Sequence, residues 1–319
     1  MNILLAMIPA SFWGTTYAMT QLTLPDWPAL LLGALRALPA GLILLAIKPT
    51  KPQQADWSIL IKLGAINIAV FFSLIFIMAL TLPSAISGIG MISVPVFAML
   101  FHWVSSKKRP NLPQAFCGAI LIALAWMLFD PSTISLNPIG LMAMLAAISC
   151  IIIGSTITKA LGSRIHWWTI LTWQLIIGGA LLLVAAGIQA LFSPEQYLNV
   201  VKQFSLTNGF GISWIILLNT VLGYSMYVWL LQRMSVVDFT FGGIANPIAG
   251  IACGFVLMGE SYTPHQYLLM CGMILASIAP TLIQLLRQKI TASNANKQLI
   301  IEQSNSELNH LSKTKMPKS

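Results

Sequence analysis

Charged residues are scarce in this chain: they make up 8% of its 319 residues, whereas hydrophobic residues make up 57%. A soluble domain of this length needs a far more charged surface to stay in solution. The composition therefore excludes a soluble protein and indicates an integral membrane protein. Little of the chain remains for a separate soluble domain.

Motifs that mark several enzyme classes are also missing from the sequence. There is no GxxxxGK[ST] loop of the kind that nucleotide-driven pumps use, and no cluster of His, Asp and Glu that would serve a membrane-embedded enzyme. The four cysteines lie inside apolar runs without CxxC spacing, which argues against a disulfide framework and a metal site. We therefore expect no enzyme activity, no catalytic residue, no cofactor and no bound metal.

What the chain does contain is a series of solid apolar runs. A helix needs about 20 apolar residues to cross the roughly 30 Å hydrocarbon layer of a bilayer. Apolar and polar residues do not alternate within the runs, so they predict helices and not the strands of a barrel. We predict an all-α protein with ten transmembrane helices, at residues 3–21, 28–47, 59–78, 83–103, 111–129, 138–157, 168–190, 209–231, 239–258 and 265–286.

Basic residues are distributed by membrane side, although the net charge of +9 could suggest a nucleic-acid partner. If the N-terminus is cytosolic, the inner loops hold the basic residues and the outer loops hold only Lys202. This asymmetry predicts that the N- and C-termini both lie inside, and it argues against nucleic-acid binding. Residues 291–319 are polar and predict a disordered cytosolic tail.

The two halves of the chain resemble each other. A shift of 152 positions aligns five pairs: Asn67 with Asn219, Ser73 with Ser225, Gly90 with Gly242, Pro95 with Pro247, and Gln114 with Gln266. A shift of 138 to 140 positions aligns Gly14 with Gly154 and Gly41 with Gly179. We predict one five-helix repeat at residues 1–130 and a second at 131–290. Because five is odd, the second copy is inverted in the membrane, an arrangement typical of transporters.

Two features interrupt the apolar runs. Pro95 and Pro247 lack an N–H and predict kinks that free carbonyl groups for helix movement or gating, although membrane helices also carry proline for packing. Asn246 adds a polar side chain at the same depth. Glu260 aligns with Lys108 in the repeat, which favours a topological or capping role; the alternative is contact with a coupling ion or substrate.

Several of these residues occur in a pattern that resembles the EamA family of the drug/metabolite transporter superfamily, whose members are ten-helix carriers of two inverted repeats. The pattern covers about residues 3–287 and includes Phe12-Trp13-Gly14, Arg36, the Pro95 and Pro247 helices, and Gly259-Glu260 followed by Gln266 and Gly272. The resemblance implies a secondary transporter in a bacterial inner membrane that exports small metabolites, such as amino acids or related amphiphilic compounds. One departure is the absence of a carboxylate near Lys107, where the family often has a Glu.

Arg36 is the one charge placed well inside a predicted span, where a charge is costly enough to suggest a function. Its guanidinium could clamp a substrate carboxylate, or it could bind carbonyls freed by the kinked helices. Its repeat mate is Gln174. Further candidates combine aromatic faces with a few polar groups, as small-molecule sites do, although each also suits core packing: Trp13, Tyr17, Asn67, Trp173, Gln174, Asn219, Tyr224, Tyr227 and Asn246.

Two other functions remain open at this stage. A carrier of phosphorylated metabolites or nucleotide sugars would need several cationic groups at mid-depth, and a non-transporting membrane sensor or scaffold would need none. The expected partners are a small-molecule substrate and the lipid bilayer. A proton is a candidate coupling ion, although the carboxylates are peripheral, and both a monomer and a homodimer are consistent with the sequence.

Overall fold

The computed structural model describes residues 3–107, 109, 111–129, 135–161, 164–231, 242–283, 285–288 and 290. These residues are almost entirely helical, and no β-strand occurs among them. The all-α class predicted from the apolar runs is therefore confirmed. The predicted tail at 291–319 and Lys108 lie outside the described residues.

The described residues form helices α1 to α11, numbered in chain order. Their bounds are α1 Ile3–Thr23, α2 Ala29–Ile47, α3 Gln54–Thr81, α4 84–106, α5 Leu112–Leu128, α6 Pro138–Leu161, α7 Trp167–Phe192, α8 Pro194–Lys202, α9 206–231, α10 Ala245–Met258 and α11 Pro264–Gln288.

Seven of these helices are long and apolar enough to cross a bilayer, namely α2, α3, α4, α6, α7, α9 and α11. Helices α5 and α10 are apolar but shorter, and α1 has 21 residues that include Ser, Thr and Gln. The count of ten spans and the position of both termini inside the cell stay predictions. Large apolar side chains are widely exposed on the bundle, as contact with lipid requires.

Two elements differ from the sequence-based prediction. Helix α3 begins at Gln54, not at residue 59, because Gln53 and Asp56 form a capping box that satisfies free N–H groups at its start. The short helix α8 lies in a stretch predicted to be a connection. It is amphipathic, and Val200 is its buried apolar residue, so it packs along one end of the bundle rather than crossing the membrane.

Helices α3 and α9 each contain a π-helical segment, Gly64–Val70 and Trp214–Leu222. Asn67 and Asn219, which the 152-residue shift aligns, lie inside these segments. The wider turn changes which carbonyls are paired, and such segments are frequent at functional sites. In α9 the Thr220 hydroxyl donates to the Ile215 carbonyl over 2.9 Å.

Pro95 and Pro247 lie at interruptions of regular helix. Helix α4 consists of Ser84–Gly90, a 3-10 turn at Met91–Ser93 and Val94–Ser106, and the backbone of Pro95 belongs to the first turn after the interruption. Pro247 is buried in the first turn of α10. A first-turn residue needs no N–H donor, so Pro247 costs the described helix no hydrogen bond.

Helices α2 and α7 cross at a pair of glycines. A β-carbon on Gly41 would lie 2.9 Å from the Ile176 nitrogen, and one on Gly179 would lie 2.5 Å from the Leu38 nitrogen. Because a shift of 138 residues carries Leu38 to Ile176 and Gly41 to Gly179, the two contacts are reciprocal. Small residues let membrane helices approach closely enough for van der Waals packing to hold them.

Two glycines of α7 differ in what surrounds them, and this difference tests the role of the crossing. Gly179→Ala should lower the melting temperature of the detergent-solubilised protein, because the new methyl group meets the backbone of α2, and overpacking costs about 1–3 kcal/mol. Gly187→Ala is the matched control, since a β-carbon there would meet nothing within 4 Å. Equal melting temperatures for the two variants would contradict the proposed role of the crossing.

Candidate functional site

Arg36 lies in the interior of the bundle and is 4% exposed. Its Nε donates to the Thr220 hydroxyl of α9 over 3.0 Å, and its guanidinium carbon lies 4.2 Å from the centre of the Phe72 ring. No carboxylate pairs with it among the described residues. An ion removed from water and left without a counter-ion is costly, and the cation–π contact with Phe72 offsets part of that cost.

Aromatic side chains of α1 and α9 pack together beside this arginine, where Tyr224 contacts Phe72. The Trp13 ring lies 5.2 Å from the rings of both Tyr224 and Tyr227, and its indole nitrogen donates to the Asn219 carbonyl over 2.8 Å. Tyr17 and Tyr224 lie within electrostatic range of the guanidinium. We name this group the Arg36 cluster and define it by Trp13, Tyr17, Arg36, Phe72, Thr220 and Tyr224.

Asn219 is fully buried beside the cluster. Its amide nitrogen donates to the Thr16 hydroxyl over 2.7 Å, whereas its Oδ1 has no hydrogen-bond partner in the described part of the chain. A buried acceptor without a partner is uncommon. The α1–α2–α9 interface therefore holds a cationic donor, Arg36, which is bonded to Thr220. It also holds an acceptor without a described partner, the Oδ1 of the preceding residue, Asn219.

The repeat mates of these residues form a second, neutral contact. Asn67 of α3 donates to the Gln174 side chain of α7 over 3.4 Å, and the sequence shifts align these two residues with Asn219 and Arg36. Gly154 of α6 makes room for the Asn67 side chain. At these aligned positions α2 brings a positive charge, Arg36, and α7 brings an amide, Gln174.

Two further residues predicted to line a cavity make other contacts. The Trp173 indole donates to the Thr50 carbonyl over 3.0 Å and packs edge-on against Trp57, near one end of the bundle. Asn246 lies on α10 against Gly14 of α1, and its Oδ1 has no partner among the described residues.

The Arg36 cluster is closed in this conformation, since Thr220 and Asn219 are fully buried. A cavity of about 600 Å³ does open at one end of the bundle, beneath α8, and its polar lining includes Asp26, Gln189, Gln196, Asn199 and Gln203. None of the predicted site residues lines it. A ligand could reach Arg36 only after helices separate.

Glu260 holds the start of α4 from the opposite half of the chain. Its carboxylate accepts from the Ser84 N–H over 2.5 Å and from the Ala85 N–H over 3.1 Å. A carboxylate at this position satisfies unpaired donors and interacts favourably with the helix dipole. Gly254 lies against the carboxylate, where a β-carbon would clash with it. These contacts support the capping interpretation, and a coupling role for Glu260 stays a prediction.

Tyr262 completes this contact by donating to Glu260 over 3.0 Å. Burial, together with the nearby Glu260 charge and the hydrogen bond, raises the pKa of Tyr262 well above its ordinary value. The phenol therefore stays protonated at physiological pH and remains a donor to the carboxylate.

Sequence reasoning missed three residues that complete the site. Thr220 and Thr16 gave little signal, because threonine is a common polar residue in apolar helices. Thr220 directly follows Asn219, and Thr16 lies about one turn after Trp13, which is the one hint that the sequence offers. Phe72 had no signal at all, because its position over the guanidinium depends on how α2 and α3 pack. The partner of Glu260 was equally hidden, since Ser84 is 176 residues away.

We predict that Glu260→Ala lowers the melting temperature, because two N–H groups of α4 lose their acceptor and a lost cap costs about 0.5–2 kcal/mol. Glu260→Gln should lose less, since Gln keeps one acceptor oxygen. Glu195→Ala is the control, because Glu195 is an exposed carboxylate in the first turn of α8. A loss in Glu195→Ala as large as that in Glu260→Ala would show that charge, and not the cap, matters.

Comparison with known proteins assigns this chain to a family. A model of the EamA-like transporter family matches residues 1–129 and 138–282. The chain is 32% identical over 260 residues to Protein PecM of Dickeya dadantii (strain 3937), covering 80% of this chain and 83% of that protein. It is 24% identical over 286 residues to the uncharacterized inner membrane transporter YedA of Escherichia coli (strain K12), covering 85% of this chain and 87% of that protein.

A solved crystal structure also matches. It covers 90% of this chain and 98% of its own, with a TM-score of 0.59 at 15% identity. At this identity the match shows a shared fold alone.

Proposed function

The chain belongs to the EamA-like transporter family and is a multi-pass inner-membrane protein, and from this premise we propose that it is a secondary transporter of small zwitterionic metabolites, amino acids above all. The substrate carboxylate would bind Arg36, and the helices around the cluster would open alternately to the two sides of the membrane. Outward transport is the direction that the family resemblance implies.

The observation that carries the proposal is the unpaired guanidinium of Arg36. Its one hydrogen bond to a described residue is the bond from Nε to Thr220, which leaves the terminal nitrogens with no described partner. A guanidinium presents these nitrogens as a planar fork that matches a carboxylate. A substrate carboxylate would supply the missing counter-charge, and the aromatic walls would exclude water from the pair.

The neighbouring acceptor favours a zwitterion over a simple anion. The unpartnered Oδ1 belongs to Asn219, the residue before Thr220 in the same π-helical segment. A substrate ammonium group could satisfy this oxygen while the carboxylate binds Arg36. One cation and one neutral acceptor suit a ligand with no net charge.

Structural equivalences between the two halves support alternating access. Both halves have a π-helical segment around an Asn, both begin their last helix with a capping box, at Asn111 and Gln114 and at Thr263 and Gln266, and α2 meets α7 reciprocally. Two inverted copies can exchange conformations, so that inward-open and outward-open states have similar energies. The closed Arg36 cluster would be reached by such an exchange.

A carrier of phosphorylated metabolites or nucleotide sugars is the alternative within the same class. A phosphate with two charges calls for several cationic groups, and Arg36 is the cation buried in the described part of the bundle. A non-transporting sensor or scaffold would explain neither the unpaired guanidinium nor the repeat. These observations favour the zwitterion.

The proposal predicts the response of Arg36 variants to amino acids. In thermal-shift titrations of purified protein, an amino acid that raises the melting temperature should bind about 10- to 100-fold more weakly to Arg36→Gln, the loss expected for a charge-assisted hydrogen bond. Arg36→Lys should recover part of the affinity, because lysine keeps the charge but not the fork.

Arg109→Gln is the matched control, since Arg109 is exposed and its loss should leave binding unchanged. Counterflow of the same amino acid in proteoliposomes would then test transport. Binding that survives Arg36→Gln would contradict the clamp, a response to sugar phosphates alone would favour the alternative, and binding without counterflow would favour a sensor.

A further inference from the structure

A charged surface lies at the end of the bundle where the α2–α3 and α6–α7 connections meet. We call it the basic–tryptophan face and define it by Lys48, Lys51, Trp57, Arg164, Trp167 and Trp168. Contacts of the backbone and side chains join parts of the two loops into one surface. The Trp168 indole donates to the Lys48 carbonyl over 3.0 Å, and Trp167 packs edge-on against Trp168 with ring centres 5.3 Å apart.

Two cations of this face have no acidic partner in the described part of the chain. Lys48 and Lys51 are exposed, and neither pairs with a carboxylate among the described residues. The carboxylate nearest to the face is that of Asp56, which is 10% exposed and lies 3.4 Å from Arg164. It accepts a hydrogen bond from the Gln53 N–H at the start of α3. Arg164 keeps 61% of its side chain exposed. The surface is therefore positive, and the nearby Asp56 carboxylate is engaged by Arg164 and the Gln53 N–H.

The flanks of the face expose apolar side chains. Ile47 and Ile61 are 64% and 49% exposed, which suits lipid contact. Lys62 is also exposed on α3, beside Ile61, and a lysine there can extend its apolar stem along the helix toward the headgroups. Tryptophan rings favour the same headgroup level, where one edge is apolar and the indole N–H is hydrogen-bonded.

We propose that the basic–tryptophan face is a binding site for an anionic phospholipid. The phosphate would lie between Lys48 and Lys51, and Lys62 would approach it from the lipid-exposed side. The acyl chains would pack against Ile47, Ile61 and the tryptophan rings. Basic groups next to transmembrane helices attract anionic lipid headgroups, and the apolar flanks select a lipid over a soluble phosphate.

Native mass spectrometry of the purified full-length protein tests this site, with phosphatidylglycerol and phosphatidylcholine as probes. We expect retained phosphatidylglycerol but little retained phosphatidylcholine. Lys48→Gln/Lys51→Gln should weaken phosphatidylglycerol binding by about tenfold or more, because each basic residue near the surface contributes to the attraction. Glutamine keeps most of the side-chain stem, so the change is mainly one of charge.

Lys107→Gln/Arg109→Gln is the matched control, because it removes the same charge from two exposed residues outside the face. It should retain phosphatidylglycerol as the native protein does. Equal losses in the two double variants would overturn the proposal in favour of diffuse attraction. Displacement of the lipid by millimolar glycerol phosphate would overturn it in favour of a soluble-phosphate site.

The melting temperature in lipid-free detergent checks that each variant is folded. If the Lys48→Gln/Lys51→Gln protein does not fold, the single variants Lys51→Gln and Lys62→Gln carry the test. Each should weaken phosphatidylglycerol binding about threefold to fivefold, and unchanged binding in both would overturn the proposal.

Discussion

The close crossing of α2 and α7 is the contact on which the rest of the structure depends. Gly41 and Gly179 let each helix reach the backbone of the other, and lipid offers no hydrophobic driving force that could replace this packing. Arg36 lies two residues before Leu38, which meets Gly179. Gln174 lies two residues before Ile176, which meets Gly41. The crossing therefore fixes the depth of both, and so decides which polar groups of α3 and α9 they meet.

Much of this fold could be predicted because the bilayer permits few solutions. Backbone groups in lipid must be paired within the chain, so solid apolar runs could only be helices, and Arg36 stood out as a buried charge. The π-helical segments and α8 could not be predicted. A π-helical turn depends on neighbouring helices that rescue its carbonyls, and α8 depends on the surface that its Val200 covers.

The candidate site, like the fold, could be predicted only in part from the sequence. Arg36, Trp13, Tyr224 and Asn219 were recognisable because polar and aromatic groups are conspicuous in apolar helices. Their grouping was not, because Thr220 and Phe72 acquire their roles from helix packing alone. Trp173 shows the reverse case: its residue type suited a cavity, but the Thr50 carbonyl holds it near the end of the bundle, where tryptophan serves the membrane interface.

The Glu260 cap makes the two ends of the molecule different. One carboxylate clamps the two halves together at its end of the bundle, and the repeat has lysine at the corresponding position, residue 108. In the proposed cycle the barrier to opening at the clamped end would depend on the short loop from Gly259 to Thr263, far along the chain from Arg36. Substitutions in that loop could then change turnover speed while leaving substrate choice intact, so the two properties could evolve separately.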